Sequence, residues 1–381
     1  MRNRSGFFKT NLTGELSYKS FFPESLYKIN INKYDLINEL LIEAHKNLGI
    51  LNTYANKIAD IDIFLSSYVK KEALLSSQIE GIEATLIDIF DSNISTNVNL
   101  DVLEVLNYVK TINYAKNRIE EFPICNRLFK ELHFMLLNDG RGEEKNPGEF
   151  RTSQNWIGGI GSNLKTATYV PPNPTDMEIL MSDLEKYIND EIHIDPLIKT
   201  ALIHYQFETI HPFLDGNGRV GRILILLYLI NSNILSKPVL YISYGLKIRR
   251  REYYDRLKDI RLYGNYEKWI IFFLEQIIFT SKEAIEKLDK LIELRKVNKN
   301  KIYIEKKAGK LLLLFEYIEK FPIINIKKTS NDLNLSFNTV STLVNKLIEI
   351  GILKELFKKS RNRVYIYDDY INILNDNMDD L

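Results

Sequence analysis

The sequence predicts a mainly α-helical protein with one small β-hairpin in a central loop and a separate C-terminal helical unit that closes on a second hairpin. Three observations carry this reading. Apolar residues recur at helical spacing from Asp35 onward, among them Leu36, Leu40, Leu41, Ala44 and Leu48. Residues 141–175 break that habit, with Gly142, Pro147, Gly148, Gly158, Gly159, Gly161, Pro171, Pro172 and Pro174 set among β-favouring residues. Residues 310–367 have their own order of helix, short helix, capped helix and apolar–basic alternation.

The elements follow in order. Residues 1–30 mix aromatics, Gly and Pro, which predicts an irregular arm. The helical pattern of 35–90 continues through Ile63, Leu65, Val69, Leu74 and Leu75, and 101–140 holds two more amphipathic helices. Residues 141–175 predict a long loop with a hairpin inside, and long loops in compact domains are usually functional. Helices resume at 176–189, 196–210, 217–230, 249–258 and 266–294. Residues 295–309, rich in Lys and Asn, predict a linker. Beyond it lie helices at 310–320 (stopped by Pro322), 327–333 and 337–350. Ser336 caps the last of these and Gly351 ends it. In that helix Phe337, Val340, Val344, Leu347 and Ile348 are expected to face the core, with Asn338, Thr339, Thr342, Asn345 and Lys346 outward. The expected division is a helical region at 1–105, a core with its C-terminal helices at 106–294, the linker at 295–309 and a last domain at 310–381.

Composition bounds the function. At 381 residues the chain is long enough for two or three domains. A net charge of +1 names no partner. The single cysteine, Cys125, excludes an internal disulfide and fits a reducing compartment. His45, His133, His193 and His204 show no zinc-ligand spacing. The start, Met1 to Thr10, lacks the apolar core of a signal peptide. The run Ile223 to Ile230 is too short to span a membrane. A soluble, cytoplasmic protein with no membrane contact is expected.

The functional signal is residues 211–222, His-Pro-Phe-Leu-Asp-Gly-Asn-Gly-Arg-Val-Gly-Arg, a loop that opens an apolar helix. A helix N-terminus offers free backbone N–H groups and favours negative charge. Gly216 and Gly218 let the backbone approach a phosphate, and Asn217 can donate from its amide. Arg219 and Arg222 share one side of the helix and suit phosphate oxygens. Asp215 is a hard oxygen ligand suited to Mg²⁺. His211 can take a proton from a hydroxyl.

This stretch resembles the motif of the Fic (Fido) domain family, H-x-F-x-[D/E]-G-N-G-R-x-x-R. His211, Phe213, Asp215, Gly216, Asn217, Gly218, Arg219 and Arg222 fill every fixed position. The resemblance implies a Fic-type helical core with a hairpin flap, and an adenylyltransferase that moves AMP from Mg·ATP to a protein hydroxyl on Tyr, Ser or Thr. His211 would be the base, Asp215 the Mg²⁺ ligand, and Gly216, Asn217, Gly218, Arg219, Val220, Gly221 and Arg222 the nucleotide cradle.

A second signature, Ser76-Ser77-Gln78-Ile79-Glu80-Gly81, closes a helix. It resembles the family's inhibitory motif, [S/T]-x-x-x-E-[G/N], with Ser76, Glu80 and Gly81 at the fixed positions. The implication is that Glu80 pairs with Arg222 and keeps it from the ATP γ-phosphate. Residues 148–159 look like the flap that aims the target, with Ile157, Gly158, Gly159 and Ile160 bordering the nucleotide. Tyr253 and Tyr254 resemble the family's paired tyrosines near the adenosine, and Arg261 is a further candidate there.

The C-terminal unit resembles a winged helix, with Lys354, Lys358, Lys359, Arg361 and Arg363 on its wing. Its partner is either DNA, through phosphate contacts, or protein, including a homodimer. The other expected partners are a target with an exposed hydroxyl and the chain itself as acceptor. The alternatives are removal of AMP at the same site and a DNA-binding regulator whose core only senses ATP.

Overall fold

A computed structural model describes residues 2–32, 35–57, 61–95, 98–138, 140–305, 308–356 and 363–376. The N-terminal segment is a sheet, not an irregular arm. Strands β1 (Arg2–Asn3), β2 (Gly6–Asn11) and β3 (Tyr18–Pro23) form an antiparallel sheet in that order. The aromatics explain it. Phe7 stands opposite Phe22 and Phe8 opposite Phe21 across the ladder, with ring centroids 5.2 and 5.3 Å apart. Such cross-strand pairs stabilise a sheet. A turn with Gly14 at φ +60° joins the strands.

Five helices follow: α1 (Asp35–Lys57), α2 (Ile61–Ile79), α3 (Leu86–Asp91), α4 (Leu100–Arg118) and α5 (Asn126–Leu137). After the long loop come α6 (Pro174–Asn189), α7 (Pro196–Ile210), α8 (Asn217–Asn231), α9 (Ser243–Ile248), α10 (Arg250–Tyr263) and α11 (Tyr266–Tyr303). Every residue of α7 from Leu197 to Ile210 is buried, as is every residue of α8 from Arg219 to Leu229. A helix buried on every face lies in the middle of a protein. These two helices pack on each other, so the 211–216 loop between them hangs from two buried helices.

Helix α11 corrects the expected linker. It runs through residues 295–303 because Leu291, Arg295, Asn298 and Ile302 form one buried stripe. Two members of that stripe are polar and hide it from a hydrophobicity pattern. Arg295 meets Glu319 at 3.2 Å, and Asn298 donates to the Tyr367 hydroxyl at 2.8 Å. The last elements are α12 (Ala308–Lys320), β4 (Ile323–Asn325), α13 (Ile326–Asp332), α14 (Phe337–Glu349), β5 (Lys354–Glu355), β6 (Val364–Ile366) and α15 (Asp368–Asn375). The expected two-stranded wing is part of a three-stranded sheet in the order β4-β6-β5. In α14, Val340, Val344 and Leu347 are buried as expected, together with Leu343. Phe337 and Ile348 are exposed at the helix ends, because Phe337 lies in the first turn, beyond the packed face. Lys354 pairs with Asp368 and Arg363 lies 3.7 Å from Glu355; Lys358, Lys359 and Arg361 lie outside the described residues. No helix among the described residues is long and apolar enough to cross a membrane.

Candidate active site

His211 ends α7 in the left-handed conformation, at φ 53°. Its backbone N–H bonds to the Phe207 carbonyl at 2.9 Å, and its Nδ1 lies 3.2 Å from the Glu208 carbonyl. A carbonyl only accepts, so Nδ1 carries the proton and Nε2 keeps a lone pair for a substrate proton. Burial, opposed by that carbonyl and reinforced by Arg151, lowers the imidazole to about 4. The ring is therefore neutral at ordinary pH.

The loop beyond it is fixed by its own backbone bonds. Asn217 accepts from Phe213 N–H and donates to the Phe213 carbonyl, both at 2.9 Å. The Asn217 amide thus closes the loop with its oxygen and one of its two N–H donors. Gly216 is the N-cap of α8 at φ 71° and supplies no capping side chain. The first-turn N–H groups of α8 are therefore left without a side-chain cap, an arrangement that favours an anion. Asp215 accepts from Gly216 N–H at 2.6 Å, and its side chain is half exposed.

Glu80 lies just past the end of α2, followed by Gly81 at φ 91°. Its Oε1 accepts from Arg222 Nη2 at 2.7 Å. Ser76 holds the same guanidinium from the side, its Oγ accepting from Nε at 2.7 Å and its carbonyl from Nη2 at 3.0 Å. A Cβ on Gly218 would run into the Glu80 carboxylate. The carboxylate therefore sits on the α8 N-terminus and binds the second arginine of the motif at once. Arg222 is 1% exposed. Burial is the largest influence and works against its charge, but Glu80 together with the Tyr253, Tyr108 and Tyr254 hydroxyls outweighs it and raises its pKa. The Ser76–Glu80–Gly81 motif and the 211–222 motif thus meet in space as expected.

Arg219 has a different partner. Its Nη1 donates to Glu104 of α4 at 2.7 Å, and both side chains are buried. The Asp215 carboxylate is 3.9 Å away. Breaking a buried pair leaves one charge uncompensated, so Glu104→Ala is expected to destabilise the protein by about 3–5 kcal/mol. Denaturant unfolding checks this; an unchanged midpoint would contradict it.

Sequence reasoning missed three supports. His133 lies on Phe213 with ring planes 7° apart and centroids 3.8 Å apart. Its Nδ1 accepts from Gly148 N–H at 2.9 Å, so its Nε2 donates to the Asp215 carbonyl at 3.1 Å. Arg151, 2% exposed, donates to the His211 carbonyl at 2.9 Å and to the Pro172 carbonyl. Glu208, three residues before His211, is buried beside Gly221, and burial pushes its carboxyl up to about 7.

The flap is a narrow hairpin. Ile157 and Tyr169 exchange backbone bonds at 2.8 and 3.0 Å. Gly158, Gly159 and Ile160 form its exposed end, with Ile160 fully exposed. Of the two tyrosines, only Tyr254 reaches the surface. Tyr253 is 1% exposed and bonds its hydroxyl to His204 Nε2 at 2.8 Å, which makes it a core residue beneath the site. Arg261 stacks on the Tyr169 ring at 4.0 Å, next to the flap.

Comparisons with known proteins agree with this geometry. The Fic/DOC family model matches residues 123–229, and the Fic/DOC family N-terminal model matches 38–117. The chain is 27% identical over 237 residues to Protein adenylyltransferase Fic of Drosophila melanogaster, covering 62% of this chain and 44% of that one. It is 34% identical over 142 residues to the protein of that name from Drosophila ananassae, covering 37% and 25%. The chain thus spans less than half the length of these relatives. A Fic family protein from Desulfovibrio desulfuricans G20 has the same fold, with a TM-score of 0.58 at 19% identity over 88% of this chain and 97% of that one. Fic-1 from C. elegans follows, with a TM-score of 0.51 at 20% identity over 67% and 73%. The motif, the loop that carries it and both family models agree: the chain belongs to the Fic/DOC family.

Proposed function

We propose that this protein transfers AMP from ATP to a hydroxyl side chain of a target protein, and that Glu80 restrains the reaction. One observation carries the reading. An anion, the Glu80 carboxylate, rests on the N-terminus of α8 and on Arg222, where phosphate oxygens find the same donors. In the reaction His211 Nε2 takes the proton of the target hydroxyl. The hydroxyl oxygen bonds to the α-phosphorus, the bond from that phosphorus to its bridging oxygen breaks, and pyrophosphate leaves. The α8 N–H groups and Arg222 stabilise the charge that develops on the phosphates. Arg219, held by Glu104, adds its field from beneath.

Asp215 is suited to the magnesium of Mg·ATP. Its carboxylate is half exposed, and no cluster of three or more acidic, His or Cys ligands stands among the described residues. An ion held by that carboxylate would take its other ligands from phosphates and water, the habit of Mg²⁺. The ion would neutralise phosphate charge. Asp215→Ala is expected to shift the magnesium requirement to higher concentration. A magnesium titration with labelled ATP reads this; an unshifted curve would assign the metal to the nucleotide alone.

Exposed flap residues support delivery of the target as an extended strand, which recognises backbone more than side chains. Tyr254, exposed on α10, is the better of the two tyrosines for an adenosine contact. Mass spectrometry of cell lysate treated with the Glu80→Gly protein and isotope-labelled ATP tests the function. AMP adducts on Tyr, Ser or Thr are expected, and a lysate without any adduct would contradict the proposal.

A further inference from the structure

A cleft of about 570 Å³ opens beside the flap, between β3, the returning flap strand and α10. Four cations line it, Lys19, Lys165, Lys258 and Arg261, and no carboxylate does. Among the described residues none of the four has a carboxylate within ion-pair distance. Neighbours on the same elements behave differently. Lys9 of the sheet pairs with Asp176, and Arg256 of α10 pairs with Glu252. Past Lys258 the surface turns acidic, with Glu252, Asp255 and Asp259 along the next groove. The basic field is therefore local, in a chain of net charge +1.

The cleft is tied to the flap on both sides. The Tyr18 hydroxyl donates to Gln154 Oε1 at 3.0 Å on the outgoing strand, and Phe21 N–H donates to the Val170 carbonyl at 3.0 Å on the returning one. A chain laid along the flap would pass beside this cleft.

We propose that the cleft docks an acidic segment of the target protein beside its acceptor residue, an inference that rests on the AMP-transfer reading. Apolar floor residues such as Leu164 and Tyr169 accommodate the segment's stems, and the four cations take its carboxylates. Exposed charges of this kind set specificity and encounter rate more than raw affinity, and salt screens them. The proposal selects targets by charge, where the flap selects only by extended shape.

The test uses two fluorescein-labelled peptides with one central tyrosine. One is flanked by Glu and Asp, the other by Gln and Asn. Binding is read by anisotropy with the full chain and with the Lys19→Glu/Lys165→Glu variant, whose changes fall on exposed side chains. At low ionic strength the acidic peptide should bind about tenfold tighter than its neutral twin. The preference should shrink at about 0.15 M salt, and vanish in the variant while ATP binding stays unchanged. Equal binding of the two peptides by the parent protein, or a preference that survives charge reversal, would overturn the proposal. Weakened ATP binding in the variant would overturn it too, by assigning the cleft to nucleotide phosphates. Turnover is measured separately with the Glu80→Gly protein. Peptide preference without AMP transfer would contradict the proposed activity and not the docking surface.

Discussion

Glu80→Gly is expected to raise AMP transfer by about ten- to a hundredfold, the worth of one charge-assisted hydrogen bond returned to the reaction. The substitution removes the carboxylate from the α8 N-terminus and frees one N–H of Arg222 Nη2. Ser76 still holds the guanidinium through two contacts, so the arginine stays in place. Arg222→Ala should not reproduce the gain, because it removes the anchor of the brake and a phosphate clamp together. The double variant should therefore behave like Arg222→Ala alone, the non-additivity expected of residues in contact. Arg222 is buried, so thermal unfolding must accompany the rates. Incorporation of labelled AMP into the protein and into lysate is the readout. A Glu80→Gly protein no faster than the parent would reduce the Glu80–Arg222 contact to a structural ion pair.

His211→Asn is expected to lower transfer by about 10²–10⁴-fold, the usual loss when a general base is removed. Asparagine is the better replacement because His211 sits at φ 53°, where asparagine is tolerated and alanine is strained. Nucleotide binding should persist. The lowered pKa adds a second expectation. With the imidazole at about 4 the neutral base dominates above pH 5, so kcat/KM should not fall through protonation of His211 between pH 8 and pH 6. An ordinary histidine would begin to lose its base form near pH 7. A pH profile of the Glu80→Gly protein, set beside that of its His211→Asn counterpart, measures both effects.

The 211–222 loop was readable because its parts are contiguous. A base, a carboxylate, three glycines and two arginines in twelve residues need little tertiary context. Glu80 and Arg222 are far apart in the chain, and only the co-occurrence of two motifs linked them. Glu104, His133 and Arg151 carried no local signal. Glu104 and His133 reach the site from separate helices and Arg151 from the long loop, and a lone charged or imidazole side chain usually means solvent or core. Neighbouring tyrosines at 253 and 254 point to different sides of α10, so their roles could not be divided before the helix was placed. Residues 295–303 read as a linker because their buried stripe holds Arg295 and Asn298, whose partners Glu319 and Tyr367 lie in the next unit. The N-terminal sheet was missed for a related reason: its stability lies in aromatic pairs across strands, a pattern that appears only once the register is known.

The measurement that tests the account most directly is a paired labelling of the purified Glu80→Gly protein with ATP carrying the label at the α- or the γ-phosphate. In the proposed reaction the hydroxyl attacks the α-phosphorus beside the α8 N-terminus, Arg222 and His211, and pyrophosphate leaves. The α-label should therefore become covalently attached to protein and the γ-label should leave with pyrophosphate. Attachment of the γ-label would mean phosphoryl transfer at this site, and attachment of neither would contradict the proposed activity.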